Sequence, residues 1–244
     1  MTIYAKNIIA CILLALASIV SFAAQASVVM TGTRVVYPEG TREKILQLSN
    51  KDDNPNLVQI WMDDGNNQSS PTKDDVPFLL TPQIFRMEPQ SGQVVRLAYI
   101  ERNLPKDRES VFYLNFLQIP AMKADKQANN KLVLIVKNRL KVFYRPTALN
   151  ENTDNLHEKI QVSLSDNTGQ KITINNPTGY FISLRDAQMT VNNKIISFAS
   201  SEMVSPKSSS ILTIPEGIKA IKGQQLTLTL VNDYGANIST IYSL

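Results

Sequence analysis

Apolar and polar positions alternate along most of the chain in short runs broken by turn residues, which predicts β-strands. A first set is expected over residues 28–37, 44–49, 57–62, 76–80, 83–87, 94–99, 111–118 and 131–144. Between them stand Pro38-Glu39-Gly40, Asp63-Asp64-Gly65, Glu88-Pro89 and Leu104-Pro105-Lys106-Asp107, all of turn chemistry. A polar stretch, Asn150-Glu151-Asn152-Thr153-Asp154-Asn155, then interrupts the pattern and reads as a linker. A second set follows over 160–164, 171–175, 181–187, 194–198, 209–214, 225–231 and 238–242. No long segment repeats apolar residues at helical spacing, and no internal repeat suggests a solenoid.

Strands at this spacing predict an all-β chain of two sandwiches, each near the roughly 100 residues of an immunoglobulin-like domain. The expected division is 27–148 and 149–244, after a leader at 1–26. One strand is unusual. Leu132, Leu134 and Val136 form an apolar ladder, yet Val133 and Ile135 make the other face apolar too. Such a strand is either central in a sheet or an edge strand completed by another protein.

The expected leader rests on Lys6, an apolar run over 8–20 and the Ala24-Gln25-Ala26 cleavage signal. An uncleaved anchor is the alternative, but the run is short of the about 20 residues a span needs. Removing 1–26 leaves 244 − 26 = 218 residues, without Cys11 and therefore without cysteine. The charge becomes 24 − 21 = +3, too mild to argue for nucleic acid. A single His and no mature Cys disfavour metal chemistry, so no cofactor or metal is expected. There is no GxxxxGK[ST] phosphate loop, and ATP is scarce outside the cytoplasm. Work done there runs on binding and folding energy.

Six blocks then stand in order along the chain: Thr33-Arg34-Val35-Val36-Tyr37-Pro38, Leu57-Val58-Gln59-Ile60-Trp61, Thr81-Pro82 with Phe85-Arg86-Met87-Glu88-Pro89, Asp107 to Asn115 ending at Ile119-Pro120, Lys141-Val142-Phe143-Tyr144-Arg145-Pro146, and Val231-Asn232-Asp233-Tyr234-Gly235. Together they resemble the PapD-like periplasmic chaperones of pilus and fimbrial assembly over nearly all of the mature chain. The resemblance implies two immunoglobulin-like domains meeting at an angle, with a cleft between them where a pilus subunit docks.

It also implies roles. Arg34 and Lys141 match the cations that hold the subunit's C-terminal carboxylate, a partnership favoured by charge-assisted hydrogen bonding. Leu132, Leu134 and Val136 would be the ladder donated to a subunit lacking its last strand. Lys141 has the opposite parity, so either a bulge intervenes or it reaches the cleft from the other face. Glu109, Arg145 and Asp233 match an ionic network between the domains. Leu57, Gln59, Thr81, Pro82 and Arg96 match a surface that binds an outer-membrane usher. The implied compartment is the periplasm, and the implied partners are subunit and usher, with self-association of the free chain through the donor strand left open.

Departures from the family pattern are Gln83 for a second proline and Gln90-Ser91 where a glycine is usual. The mature chain also lacks the disulfide that some members carry. Eleven residues, 121–131, separate Pro120 from Leu132, as in the short-loop subclass.

The enzyme reading is weak. GxSxG is absent, His157 reads as an exposed loop residue, and Asp52-Asp53, Asp63-Asp64 and Asp74-Asp75 read as solvated turns without calcium-loop spacing. A structural pilin or adhesin is the remaining rival, although residues 27–30 are too short for a donor segment of its own.

Overall fold

The computed structural model describes residues 28–66, 70, 76–100, 102–121, 133–165, 168–191, 194–198 and 202–244. The expected leader at 1–26 and the ladder residue Leu132 lie outside the described residues. The described chain is all-β, with two sandwiches.

The first sandwich uses β1 (Val28–Met30), β2 (Arg34–Pro38), β3 (Lys44–Asn50), β4 (Asn56–Asp63), β5 (Phe78–Thr81), β6 (Ile84–Met87), β7 (Gly92–Tyr99), β8 (Ser110–Pro120) and β9 (Val136–Arg145). One sheet runs β1-β3-β7-β5 and the other β2-β9-β8-β4-β6. The single strand expected over 28–37 is two strands in different sheets. Gly32, at φ +89°, turns the chain between them. β1 pairs antiparallel with β3, while β2 pairs parallel with β9.

The core lies between these sheets. Val35, Tyr37, Leu48, Ile60, Leu97, Leu114 and Val142 are among its buried members. Each such side chain contributes about 1.5–3 kcal/mol on burial. The Tyr37 hydroxyl is satisfied inside it, donating to the Thr41 carbonyl (2.8 Å) and accepting from the Tyr99 N–H (3.1 Å).

The second sandwich holds β10 (Gln161–Leu164), β11 (Lys171–Asn176), β12 (Ile182–Val191), β13 (Lys194–Ser197), β14 (Glu202–Val204), β15 (Ser208–Thr213), β16 (Gln225–Val231) and β17 (Asn237–Ser243). Its sheets run β10-β11-β15 and β13-β12-β16-β17, with β14 also on β12. The sequence pattern did not predict β14. The expected linker also behaves differently. Thr153–Lys159 forms a 3-10 helix, capped by the Asn152 side chain accepting from the Asp154 N–H. Leu156 turns from this helix into the second core. Ile160, just beyond the helix, enters the same core, and the Tyr242 hydroxyl donates to the His157 carbonyl.

Candidate functional site

β9 determines the chemistry of the region between the sandwiches. Its pairing with β8 runs without a break from Ser110↔Tyr144 to Gln118↔Val136, so there is no bulge. Leu140, Val142 and Tyr144 therefore pack into the first core. Lys137, Arg139, Lys141, Phe143 and Arg145 point to the opposite face. Of the two routes open for Lys141, the geometry takes the second. That face meets the second sandwich, where the Phe143 and Phe181 rings lie 5.8 Å apart.

Arg34 and Lys141 are register partners across the parallel β2–β9 pair. Arg34 donates to the Val231 carbonyl (2.9 Å) and the Ser183 hydroxyl (3.3 Å), but its buried Nε has no partner. Lys141 has no hydrogen-bond or ion-pair partner among the described residues. Burial, then the Arg34 charge, pulls the Lys141 ammonium below its usual range. Burial likewise lowers Arg34, against the opposing pull of Asp233 and Glu109. Two adjacent, half-dried cations are each relieved by an incoming anion, and a carboxylate suits them in charge and in hydrogen bonding.

The same strand supplies an open edge. β2 covers β9 only from Lys141 to Arg145. From Val136 to Leu140, β9 has β8 on one side and no strand on the other among the described residues. β9 is thus central over one half and an edge over the other, and the described part of the two-sided apolar stretch, Val133 to Val136, falls on the open side, so its central-strand reading is corrected. Strand structure does not extend as far back as expected, because Val133, Leu134 and Ile135 precede β9 without pairing. Leu134 is 71% exposed and Val136 44%. A groove of about 710 Å³ runs beside them, lined by Val28, Met30, Phe116, Leu134, Val136 and Leu140 among others. Four consecutive exposed apolar residues at an unpaired edge would promote aggregation unless a partner covers them.

Arg145 joins the two sandwiches. Its Nε donates to Glu109 (2.7 Å) and its fork to both Asp233 oxygens (2.7 and 2.9 Å), while its Cζ lies 5.1 Å from the Tyr180 ring centre. Glu109 also accepts the Phe181 N–H at 2.8 Å. Burial nevertheless dominates and holds the Glu109 carboxyl above its usual range. Burial would raise Asp233 as well, but hydrogen bonds and charge from Arg145 bring it below.

These directions predict a pH effect. The contribution of Asp233 is full above the ordinary aspartate value of 3.8 and is lost as pH falls through its lower folded value. Glu109 acts with the opposite sign, but both proteins carry it. Asp233→Asn is therefore expected to flatten the acid limb of the stability curve. Urea midpoints measured from about pH 2 to 5 test this, and parallel curves for the two proteins would reject it.

Thr81 and Arg96 are register partners on the outer face of the β3-β7-β5 sheet. Leu57 and Gln59 lie on β4 in the other sheet, opposite Arg86 and Ile84 of β6. Pro82, after a cis bond, leads from β5 to β6, and the next residue, Gln83, accepts the Ile60 N–H at 2.8 Å. Thr81, Pro82 and Arg96 thus lie where the chain changes sheets, and Gln59 and Leu57 follow along β4 beside β6. Leu57 is 43% exposed, so it does not belong to the core.

Two readings need correction. Asp63 is not a solvated turn residue but fully buried (0%), held by Asn115 and Arg139 from strands distant in sequence. His157 is half-buried, not exposed, on the 3-10 helix, where its carbonyl accepts the Tyr242 hydroxyl. Sequence reasoning also missed Ser183 and the Val231 carbonyl, which position Arg34. Neither group carries a signal in one dimension.

Two family models match in tandem. Residues 27–150 fit the pili and flagellar-assembly chaperone PapD N-terminal domain, and 155–242 the pili assembly chaperone PapD C-terminal domain. The chain is 35% identical to chaperone protein MrkB of Klebsiella pneumoniae, covering 91% of this chain and 93% of that one. It is 34% identical to chaperone protein HifB of Haemophilus influenzae, covering 97% and 95%. Among solved structures, the Pseudomonas aeruginosa CupB2 chaperone superposes with a TM-score of 0.75 at 32% identity, covering 88% of this chain and all of that one. A chain from the complex of Salmonella enterica SafA pilin with the SafB chaperone gives 0.74 at 25% identity, covering 91% and 99%.

Proposed function

The chain belongs to the PapD family of pilus-assembly chaperones, and from that premise we propose that it captures pilus subunits by lending them the open half of β9. The observation carrying this reading is the succession of three features along one stretch of chain: exposed apolar side chains leading into β9, the unpaired edge of its first half, and a half-buried cation pair with β2 where that edge ends. A subunit lacking its last strand would take main-chain hydrogen bonds from β9 between Val136 and Leu140. Leu134 and Val136, with Leu132, would fill its groove, and Arg34 and Lys141 would hold its terminal carboxylate. Glu109, Arg145 and Asp233 would fix the angle between the sandwiches, here divided as 27–148 and 149–244.

The family role is chaperoning, not catalysis. The proposed compartment is the periplasm, reached through the expected leader at 1–26. Among the described residues no helix is long and apolar enough to cross a membrane. Leu57, Gln59, Thr81, Pro82 and Arg96 would then present the loaded chaperone to an outer-membrane usher. Both family models are chaperone domains, which leaves the pilin or adhesin alternative without support.

Replacing Leu134 and Val136 together with Asp tests the capture. Leu134 is mostly and Val136 nearly half exposed, so circular dichroism should stay as in the wild type and melting close to it. Retention of a co-expressed pilus subunit by the tagged chaperone should be lost. Undiminished retention would refute strand donation.

A further inference from the structure

Asp63 ends β4 and has no exposure to solvent. A carboxylate so buried is costly unless its oxygens are satisfied. Asn115 donates to Oδ2 at 2.6 Å, the Gly65 N–H donates to Oδ1 at 2.8 Å, and the Arg139 guanidinium forms an ion pair with Oδ1. Arg139 also lies with Cζ 4.1 Å from the Tyr113 ring centre. This network spans three strands, reaching from β9 across β8 to β4.

Its position on β9 is what matters. Arg139 stands in the half that has a strand on one side only, where an edge would otherwise fray. It is also two residues from Lys141, on the same face. Asp63 neutralises Arg139, so the cation left without a partner beside Arg34 is Lys141.

We propose that Asp63 and Arg139 are positioning residues for subunit capture: they clamp the open half of β9 flat against β8 and keep Arg139 from competing for the subunit's carboxylate. The proposal rests on the strand-donation reading above. Asp63 is fully buried and out of the subunit's reach, and Arg139, which borders the groove beside Leu134 and Val136, acts through the strand it holds. Their effect is on the shape and the charge pattern that the subunit meets.

Hydrogen exchange by mass spectrometry on the mature chain tests it, comparing wild type with Arg139→Met and Arg139→Lys. Amides of residues 136–140 should exchange at least about tenfold faster in Arg139→Met, while those of β3 and β7 in the opposite sheet stay unchanged. Arg139→Lys, which keeps the charge, should recover part of the protection. Retention of a co-expressed pilus subunit should fall in the same order. Unchanged exchange over 136–140 overturns the proposal. So does an equal rise throughout the first sandwich, which marks a residue of general stability only. Full retention of the subunit by Arg139→Met despite faster exchange overturns it as well. Retention by the Leu134→Asp, Val136→Asp double variant would instead overturn the strand-donation reading, leaving the clamp itself to be judged by exchange.

Discussion

Arg145→Met is expected to destabilise the protein by about 3–5 kcal/mol, because it leaves a buried carboxylate without its counter-charge. Glu109 is 3% exposed and already held above its usual pKa range, so it has no solvent to fall back on. Asp233, in the same network, would add repulsion where it now shares a cation. The lost stability is also located in a specific place. Arg145 lies on β9 of the first sandwich and Asp233 follows β16 of the second, so the variant loses a two-pronged ion pair between the two. Calorimetry should show the melting temperature falling by roughly 10 °C, at about 2–4 °C per kcal/mol for a chain of this size. The transition should also broaden or divide as the sandwiches unfold separately. A sharp single transition within about 2 °C of the wild type would mean that apolar contacts such as Phe143 with Phe181 carry the joint instead.

Lys141→Ala should act on binding and leave the fold intact. Lys141 has no partner to lose among the described residues, and removing it relieves Arg34 of a neighbouring like charge. Stability should therefore hold or rise slightly. Each charge-assisted bond to a carboxylate contributes about 1.5–3 kcal/mol, so subunit affinity should fall about tenfold or more. A periplasmic pull-down of tagged wild type beside the variant, with partners identified by mass spectrometry, measures this. Equal recovery of pilus subunits by both would remove Lys141 from the anchor. Arg34→Ala is a poorer probe, since Arg34 also ties β2 to Val231 and Ser183 of the second sandwich.

Much of the strand pattern could be read from alternation because each sheet buries one face. The exceptions have specific causes. Val28 and Met30 point inward at even positions, whereas Val35 and Tyr37 do so at odd ones. That change of parity across Gly32 was present in the sequence and marks the sheet switch, but an unbroken β-rich run concealed it. Leu156, directly after the polar stretch read as a linker, stood unassigned because one apolar side chain defines no period. Asp63 looked like turn chemistry because the Arg139 that satisfies it lies 76 residues away. The anchor candidates were legible only as motifs. Their adjacency, Arg34 against Lys141, is a product of parallel pairing that no local pattern encodes.

The sheet switch at Gly32 has a consequence for measurement along β9. Because the chain crosses over there, its covering strand begins at Arg34, and the exposed edge stops at the residue that Arg34 faces. Under the proposed capture, the end of the available edge and the cation pair mark the same zero on a ruler. A subunit that seats its carboxylate there has no freedom to slide by two residues and still match its side chains to the groove. Register would be set by a fixed stop built from the chaperone's own first strands, and the length of the crossover would determine how much of β9 remains to be shared.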